Sequence, residues 1–378
     1  MNSGGNAYES RRRKVERLYE LDGLRLAAAL CVVLYHYTFS GPVGGTTSVT
    51  YAEISGLTQY GYLGVDLFFL ISGFVVLMSA WGKGPRAFAV SRLARLYPAY
   101  WLGLAVTALV TVTLGRGMYD ISPVQVLANL TMFQSVADVP NVDVVYWTLW
   151  AEMRFYFLIL VFAWVGMTRG RVMALLWGWL AMTALVQLGV LPGVADLVVQ
   201  SEFAHYFIAG MALFLAYRFG VTWQTLLIVP LCLANAVYRG VGYAEAVGRR
   251  YGVEYDPWVI AAVIAAAFLI MTLVALRALG PLARPWLVTA GALTYPLYLL
   301  HAHIGFIVVE RSGGTVNRWV LLAVLVAVMC LAAYAVHRWV ERPAAPLIRR
   351  LAGPRTPPGA TGSPRPVPVP PPGAAGTY

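Results

Sequence analysis

The chain consists largely of apolar runs that are each long enough to cross a membrane. Of its 378 residues 59% are hydrophobic and only 12% are charged, whereas a soluble domain carries about a quarter charged residues. A helix needs about 20 apolar residues to span a bilayer, because every backbone polar group in lipid must be paired internally. The sequence therefore predicts an all-α, polytopic membrane bundle with about ten transmembrane helices.

The spans are placed by the apolar runs and by the turn residues that separate them. A basic polar tail is predicted at 1–17, the membrane domain at 18–350, and a Pro-rich disordered tail at 351–378. Segment 121–135 is interpreted as a partial or re-entrant helix. The ten predicted spans are 22–40, 60–80, 97–115, 146–167, 171–191, 203–219, 223–239, 257–277, 287–310 and 318–340.

The basic residues predict the orientation of the bundle. With both termini in the cytoplasm, 21 Lys and Arg residues fall in inner segments and six in outer loops, as the positive-inside rule requires. The net charge of +11 then follows from topology and contact with anionic lipids, and a nucleic-acid partner is not indicated. The Lys-poor composition, rich in Ala, Arg, Gly and Val, favours a bacterial protein of the plasma membrane.

Two ionisable residues stand inside the first span. Arg25 and His36 are eleven positions apart, which places them within about 20° of one helix face and about 16 Å apart along the axis. Charged or titratable groups in a membrane helix are costly and indicate a functional site. The pair predicts a basic anchor near one surface and a proton-transfer group deeper in the membrane.

Further polar residues occupy the second, fourth and ninth spans. Asp66 is either satisfied by a neighbouring helix or catalytic, and the small residues around it permit close helix packing. Glu152 has Tyr156 one turn further on the same face, and His301 shares a face with Tyr298. His303 points away from His301, so no metal site is expected. We expect His205 and His337 to be interfacial.

Arg92 and Arg95 stand at the predicted inner end of the third span. Three positions apart on a helix, both guanidinium groups project from one face, and arginine binds phosphate groups in bidentate fashion. Such a pair also fits an ordinary positive-inside cluster. The sequence predicts either a phosphate clamp or a topology signal here.

Taken in order, these motifs resemble the acyltransferase family 3 of integral-membrane O-acyltransferases. The resemblance covers roughly residues 20 to 345, with Thr148 where Ser is common and an unusual Arg154. The matching pieces are Asp22-Gly-Leu-Arg25 with His36, Gly64-Val-Asp66-Leu-Phe-Phe with Ser72-Gly73-Phe, Arg92-x-x-Arg95-Leu-x-Pro98-x-Tyr100, Trp147-Thr-Leu-x-x-Glu152-x-x-Phe-Tyr156, Tyr-x-Leu-Tyr-x-x-His301 and Glu341-Arg342-Pro343.

The resemblance implies transfer of an acyl group from cytoplasmic acyl-CoA, with acetyl-CoA as the first expectation, to a hydroxyl group at the outer side. The implied acceptor is a glycan, a glycolipid or a glycosylated small molecule. His36 would be the general base, either directly or through an acyl-histidine intermediate. The implied supporting roles are CoA-phosphate binding by Arg25, Arg92 and Arg95, ring orientation by Glu152 or Asp66, and oxyanion stabilisation by Tyr156 and His301.

A proton-coupled transporter or flippase is the competing class, because intramembrane His, Glu, Asp and Arg residues also form proton relays. Transporters commonly carry matched pairs of interrupted helices in two related halves, and the sequence displays no such pair. A purely structural scaffold would not explain why charged residues lie within the membrane spans. We therefore expect an O-acyltransferase.

Overall fold

The structure, a computed structural model, describes residues 18–282 and 284–352. The predicted tail at 1–17 lies outside these residues, as does the predicted tail at 351–378 except for residues 351 and 352, which end the last described helix. No strand occurs within the described ranges, and the predicted all-α membrane bundle is confirmed. Its principal helices are α1 Tyr19–Val43, α2 Ala52–Ala80, α3 Pro85–Leu114, α4 Pro123–Asn129, α5 Val144–Val165, α6 Arg169–Gln187, α7 Gly193–Phe219, α8 Trp223–Tyr251, α9 Pro257–Ala275, α10 Leu287–Leu300, α11 Ala302–Ser312 and α12 Arg318–Ala352.

Helices lie at all ten predicted span positions. Eight of the described helices are long and apolar enough to cross a membrane alone, and α10 with α11 forms a bent pair that makes up to nine. The fifth predicted span corresponds to α6, which has 19 residues but is not among these eight or nine. Its first turn carries Arg169 and Arg171, which lower its apolarity.

Contacts between helix termini define two ends of the bundle. At the basic end, which contains Arg25, Arg86 and Arg95, the Nε of Arg86 donates to the carbonyl of Ala352 at 3.1 Å. At the opposite end, Arg311 donates to the carbonyl of Leu114 at 2.9 Å. Both described chain ends therefore lie at the basic end, and its exposure to the cytoplasm stays a prediction.

Glycine residues bring α2 and α7 into backbone contact, as the small residues of the second span predicted. A Cβ atom on Gly73 would overlap the carbonyl of Phe207, and one on Gly210 would overlap the carbonyl of Leu70. Helices within lipid usually pack by close approach at small residues, because the hydrophobic effect does not drive helix association there. This contact fixes α7 against α2.

The segment between α3 and α5 folds back along α3. The side chains of Tyr97, Tyr100 and Trp101 donate to backbone carbonyls of residues 129–131, at 2.6 to 3.0 Å. Trp101 stands thirteen residues before the end of α3, so the segment reaches back by about 20 Å. These donors pair with carbonyl groups at and just after the end of α4, and the segment has the fold-back of the predicted re-entrant helix, whose depth in a membrane stays a prediction.

Three helices lose regular geometry at a histidine; one is α12, with a π-helical turn at His337–Glu341, and the other two irregular positions meet inside the bundle. Residues His36–Ser40 form a π-helical turn within α1, and α10 and α11 meet at His301 with a bend of 66°. The hydroxyl group of Tyr37 in the π turn donates to the carbonyl of His301 at 2.8 Å. The two irregular positions therefore lie against each other, and such departures are frequent at functional sites.

The contact at Gly73 and Gly210 predicts that an added methyl group lowers the stability of the protein at these positions but not at a glycine with open space around it. Gly73→Ala or Gly210→Ala forces α2 and α7 apart, and we expect each to destabilise the protein by about 1–3 kcal/mol, as overpacking does. Gly178→Ala is the matched control, because nothing lies within 4 Å of its Cβ position. Thermal unfolding in detergent measures the difference; equal melting temperatures for all three variants would contradict this packing.

Candidate active site

Two cavities meet inside the bundle. We call the smaller one, about 100 Å³ and lined by Arg25, Ser72, Arg95 and Glu152, the arginine cavity. The larger one, about 810 Å³, is lined by His36 and by seven tyrosines and is called the tyrosine cavity. Val65 and Tyr298 line both. Along α1, Arg25 thus lines the arginine cavity and His36 lines the tyrosine cavity.

His36 and His301 form a hydrogen-bonded pair. Nε2 of His301 lies 3.1 Å from Nδ1 of His36, and the two rings meet edge-on with centroids 5.0 Å apart. His301 is fully buried and His36 is nine-tenths buried. The structure therefore joins two of the predicted site residues that are 265 positions apart in sequence.

Neighbouring carbonyl groups determine the tautomers of this pair. Nδ1 of His301 lies 2.9 Å from the carbonyl of Tyr298, and a carbonyl only accepts, so this nitrogen carries the proton. The Nε2 of neutral His301 is then an acceptor, and Nδ1 of His36 donates to it and to the carbonyl of Val32 at 2.9 Å. Neutral His36 is left with an unprotonated Nε2, the form of imidazole that can remove a proton.

Asp143 supports the bend at His301, and sequence reasoning missed it. Its Oδ2 accepts from the backbone N–H of His303 at 3.0 Å, and its Oδ1 accepts from that of Val145 at 3.1 Å. The carboxylate is fully buried and caps the start of α11, where the bend leaves N–H groups unpaired. In the sequence Asp143 is only a polar residue that precedes an apolar run, with no pattern that indicates a cap.

Glu152 and Tyr156 lie in a different place from His36. The carboxylate of Glu152 lines the arginine cavity, where it accepts from Ser72 at 3.2 Å and from the hydroxyl of Tyr156. The predicted shared face of Glu152 and Tyr156 is confirmed. Within the described residues no hydrogen bond joins Glu152 to His36. The carboxylate of Glu152 instead shares the arginine cavity with Arg25 and Arg95.

The three predicted phosphate-binding arginines separate into two groups. Arg25 and Arg95 line the arginine cavity, and Arg25 lies 3.9 Å from Asp22. Arg92 is packed over the rings of Phe88 and Tyr156, 5.7 Å from each centroid. Arg92 does not line the arginine cavity, and its neighbour Tyr156 is joined to that cavity only by its hydrogen bond to Glu152.

The tyrosine cavity has aromatic walls and mixed charge. Asp66 lines it together with His36, but its carboxylate accepts from the hydroxyl of Tyr206 at 2.8 Å and makes no hydrogen bond with His36 among the described residues. The tyrosines are Tyr35, Tyr62, Tyr206, Tyr238, Tyr243, Tyr251 and Tyr298, and the charged side chains are Asp66, Glu202, Glu245, Arg239 and Arg250. Neither sign of charge dominates, which suits an uncharged polar ligand.

His205 also lines the tyrosine cavity, and the expectation that it is interfacial is wrong. Its side chain is only 1% exposed, because α7 is enclosed by α2, α6 and α8. Neither ring nitrogen has a hydrogen-bond partner within the described residues, a state that costs about 1–3 kcal/mol for each buried polar group. His337, by contrast, is partly exposed and pairs with Glu341 at 2.8 Å.

The polar side chains in the described part of the chain form no metal centre. No group of three or more His, Cys, Asp or Glu side chains there could hold an ion. His303 stacks on Tyr119, with ring centroids 4.1 Å apart, and lies outside the His36–His301 pair. The fold and site together define a polytopic helical membrane protein with a buried histidine pair where two cavities meet.

Comparison with known proteins identifies the family. The family described as "Acyltransferase domain" matches residues 18–338, which is most of the chain. The chain belongs to this acyltransferase family, as the sequence motifs predicted. No solved structure matches it significantly.

Several characterised or named relatives share parts of the sequence. YrhL of Bacillus subtilis, provisionally named a peptidoglycan O-acetyltransferase, is 30% identical over 39% of this chain and 24% of its own length. The peptidoglycan O-acetyltransferase OatA of Listeria monocytogenes is 30% identical over 24% of this chain and 13% of its own. The chain thus spans a quarter or less of these two relatives. The acyltransferase MdmB of Streptomyces mycarofaciens is 26% identical over 89% of this chain and 94% of its own length.

The buried cap at the bend predicts that the loss of the Asp143 carboxylate lowers stability more than the loss of an exposed capping aspartate. Asp143→Ala leaves two buried N–H groups unpaired, and we expect a loss of about 2–4 kcal/mol in unfolding free energy together with loss of activity, since His301 moves. Asp256→Ala is the control, because Asp256 caps α9 at an exposed position, with one bond of 2.8 Å, and should lose only about 1 kcal/mol. Denaturant or thermal unfolding compares them, and a larger loss for Asp256→Ala would contradict the assigned role.

Proposed function

We propose that the protein is a membrane O-acyltransferase that moves an acyl group from acyl-CoA to a hydroxyl group of a carbohydrate. One observation carries the proposal: an unprotonated imidazole nitrogen of His36 is available in the larger of two cavities that meet at Tyr298 and Val65. An acyl transfer needs a donor and an acceptor that approach one base from separate sides. The family membership and the names of the relatives support the same reaction class.

The donor would enter through the arginine cavity. Arg25 and Arg95 would bind the phosphate groups of CoA from the basic end, since guanidinium groups bind phosphate strongly and keep their charge. The cavity is small, at about 100 Å³, so it suits only the acyl-bearing end of the pantetheine arm, with a short acyl group such as acetyl. The positive-inside bias of the sequence supports a cytoplasmic position for this end.

His36 would act as the general base. Its Nε2 accepts the proton of the acceptor hydroxyl while the oxygen attacks the thioester carbonyl, and collapse of the tetrahedral intermediate releases the CoA thiolate, which takes the proton. His301 would hold the His36 ring in the reactive tautomer. This replaces the oxyanion role inferred for His301, because its one N–H group is already donated to the carbonyl of Tyr298.

The developing oxyanion needs a different donor from the two that the resemblance implied. The hydroxyl of Tyr156 is held by Glu152, and His301 has no free N–H group. Of the residues that line both cavities, Tyr298 carries a hydroxyl group, and that group lies 3.0 Å from the hydroxyl of Thr148. Thr148 donates its own proton to the carbonyl of Val145, so the Tyr298 hydroxyl donates to Thr148. Unlike Tyr156, Tyr298 lines both cavities and its partner is neutral, so we assign the oxyanion contact to Tyr298 on release of Thr148.

The tyrosine cavity would hold the acceptor. Its volume of about 810 Å³ is that of sites which enclose a drug-sized ligand. Aromatic faces pack against the C–H faces of a sugar, while the tyrosine hydroxyl groups and Asp66 bind its hydroxyl groups. The mixture of three acidic and two basic side chains favours a neutral acceptor, such as a glycan, a glycolipid or a glycosylated small molecule.

Donor binding tests the arginine cavity. Arg25→Ala and Arg95→Ala each remove a phosphate contact, and we expect the Kd for acetyl-CoA to rise about tenfold or more in each variant. Calorimetry on the purified protein measures it. Arg218→Ala is the control, because Arg218 packs over Trp81 and Phe219 outside the cavity. Absence of any acyl-CoA binding by the wild type would instead favour the transporter class.

Turnover tests the histidine pair. His36→Ala should reduce kcat by about 10²- to 10⁴-fold, the usual contribution of a general base, without weakening donor binding. His301→Phe should reduce kcat less, because the carbonyl of Val32 still holds Nδ1 of His36. His337→Ala is the control histidine. Acetyl transfer from acetyl-CoA is followed by release of free thiol, and full activity of a folded His36→Ala protein would refute the scheme.

A further inference from the structure

We propose that Phe68 sets the size of the acyl group that the protein transfers, because its ring stands between the phosphate-binding arginines and the shared wall of the two cavities. The inference rests on the proposed function and extends it to the acyl donor. Phe68 belongs to the segment Gly64-Val-Asp66-Leu-Phe-Phe, but neither CoA binding nor the proton transfer uses it. It would act as a specificity-determining residue and not as a catalytic one.

Helix α2 contributes a row of four side chains to the arginine cavity. They stand at positions i, i+3, i+4 and i+7, the spacing of one helix face, and they are Val65, Phe68, Phe69 and Ser72. The row begins at the polar end of the cavity, where Ser72 donates to Glu152 at 3.2 Å. It ends about 10 Å further along the helix at Val65, which also lines the tyrosine cavity. The two phenylalanines therefore stand between the polar end and the shared wall.

The side chains of α5 run in the same order along the cavity. Glu152 stands at the polar end, and Thr148, four positions earlier, lies 3.0 Å from the hydroxyl of Tyr298 at the shared wall. A CoA molecule whose phosphate groups are bound by the two arginines would extend its acyl end in this direction. The acyl group therefore has to pass the level of Phe68 before its carbonyl carbon reaches Tyr298.

Phe68 and Phe69 differ in how tightly they are packed. Phe69 is only 4% exposed, and its ring centroid lies 4.9 Å from that of Phe203 and 5.0 Å from that of Phe207, so it belongs to the core between α2 and α7. Phe68 is partly buried, and its ring meets that of Tyr298 edge-on with centroids 5.9 Å apart. The Phe68 side chain can therefore be shortened without opening the core.

The volume of the arginine cavity makes the Phe68 ring a limit on acyl size. The cavity measures about 100 Å³, only a few times the volume of about 30 Å³ that one water molecule takes up in the liquid. An acetyl group fits such a space, whereas each further methylene group needs room that the Phe68 ring occupies. Enzyme pockets distinguish groups that differ by one methylene by about 10- to 200-fold. We therefore expect a preference for acetyl over longer acyl groups.

Shortening the Phe68 side chain tests the inference through donor affinity. In the wild type the Kd of butyryl-CoA should exceed that of acetyl-CoA about tenfold or more, and in Phe68→Ala the two should differ by less than about threefold. Phe68→Leu should give an intermediate ratio, and it keeps the test conclusive where the smaller residue prevents folding. Calorimetry on the purified full chain measures these constants and needs no acceptor.

The matched control is a phenylalanine outside both cavities. Phe162 is also partly buried on a membrane helix, but it lines neither the arginine cavity nor the tyrosine cavity. Phe162→Ala should keep the wild-type ratio of the two donor Kd values. An equal loss of selectivity in Phe162→Ala would overturn the role of Phe68, because it would show that general loosening of the bundle admits the longer acyl group.

Turnover provides a second measurement. With methyl glucoside as the acceptor probe, thiol release gives kcat/KM for each donor, and the ratio of butyryl-CoA to acetyl-CoA should rise about tenfold in Phe68→Ala. The ratio is the informative quantity, since a less firmly held Tyr298 would slow transfer from both donors alike.

The outcomes distinguish the inference from the proposed function. A wild-type protein that binds no acyl-CoA contradicts the proposed function, and the role of Phe68 falls with it. Binding with the same ratio of acetyl-CoA to butyryl-CoA affinity in the wild type, Phe68→Ala and Phe68→Leu overturns only the role of Phe68.

Discussion

The structure depends on one constraint: lipid offers no hydrogen bonds, so a helix that departs from regular geometry must find partners within the protein. Two of the irregular positions, His36 and His301, satisfy this constraint by facing each other. Their side chains share a hydrogen bond of 3.1 Å, and Tyr37 supplies a donor to the His301 carbonyl. The histidine pair is thereby held by the same contacts that satisfy the polar groups of these two irregular helices within the membrane.

The re-entrant segment extends this arrangement to a third element. Asp143 follows that segment and caps α11 through the N–H of His303, while the carbonyl of Val145 accepts from Thr148 at 3.0 Å. The segment is itself held by the tyrosine and tryptophan side chains of α3. The position of His301 is therefore set by contacts that reach from α3 through the re-entrant segment to the bend, which makes the histidine pair rigid.

Apolar runs and basic residues predicted the all-α bundle and the helix positions, because these depend on local composition. Helical spacing also predicted the Glu152–Tyr156 contact. It could not place Glu152 in the arginine cavity rather than beside His36, since depth along a helix does not fix which neighbour a side chain faces. Asp143 escaped notice, and His205 was expected to be interfacial, for a related reason: the bend in another helix and tertiary burial leave no periodic signal.

The unequal cavities bear on the choice between a transferase and a transporter. A transporter moves one substrate through both halves of its path, so both halves must admit it. Here the tyrosine cavity of about 810 Å³ lies in the range that encloses a drug-sized ligand, whereas the arginine cavity of about 100 Å³ lies far below it. A bulky acceptor that fits the tyrosine cavity would not pass through the arginine cavity. A thin acyl-bearing arm would reach the shared wall at Tyr298, and only the acyl group need cross. The size difference therefore supports group transfer between two molecules that never exchange places.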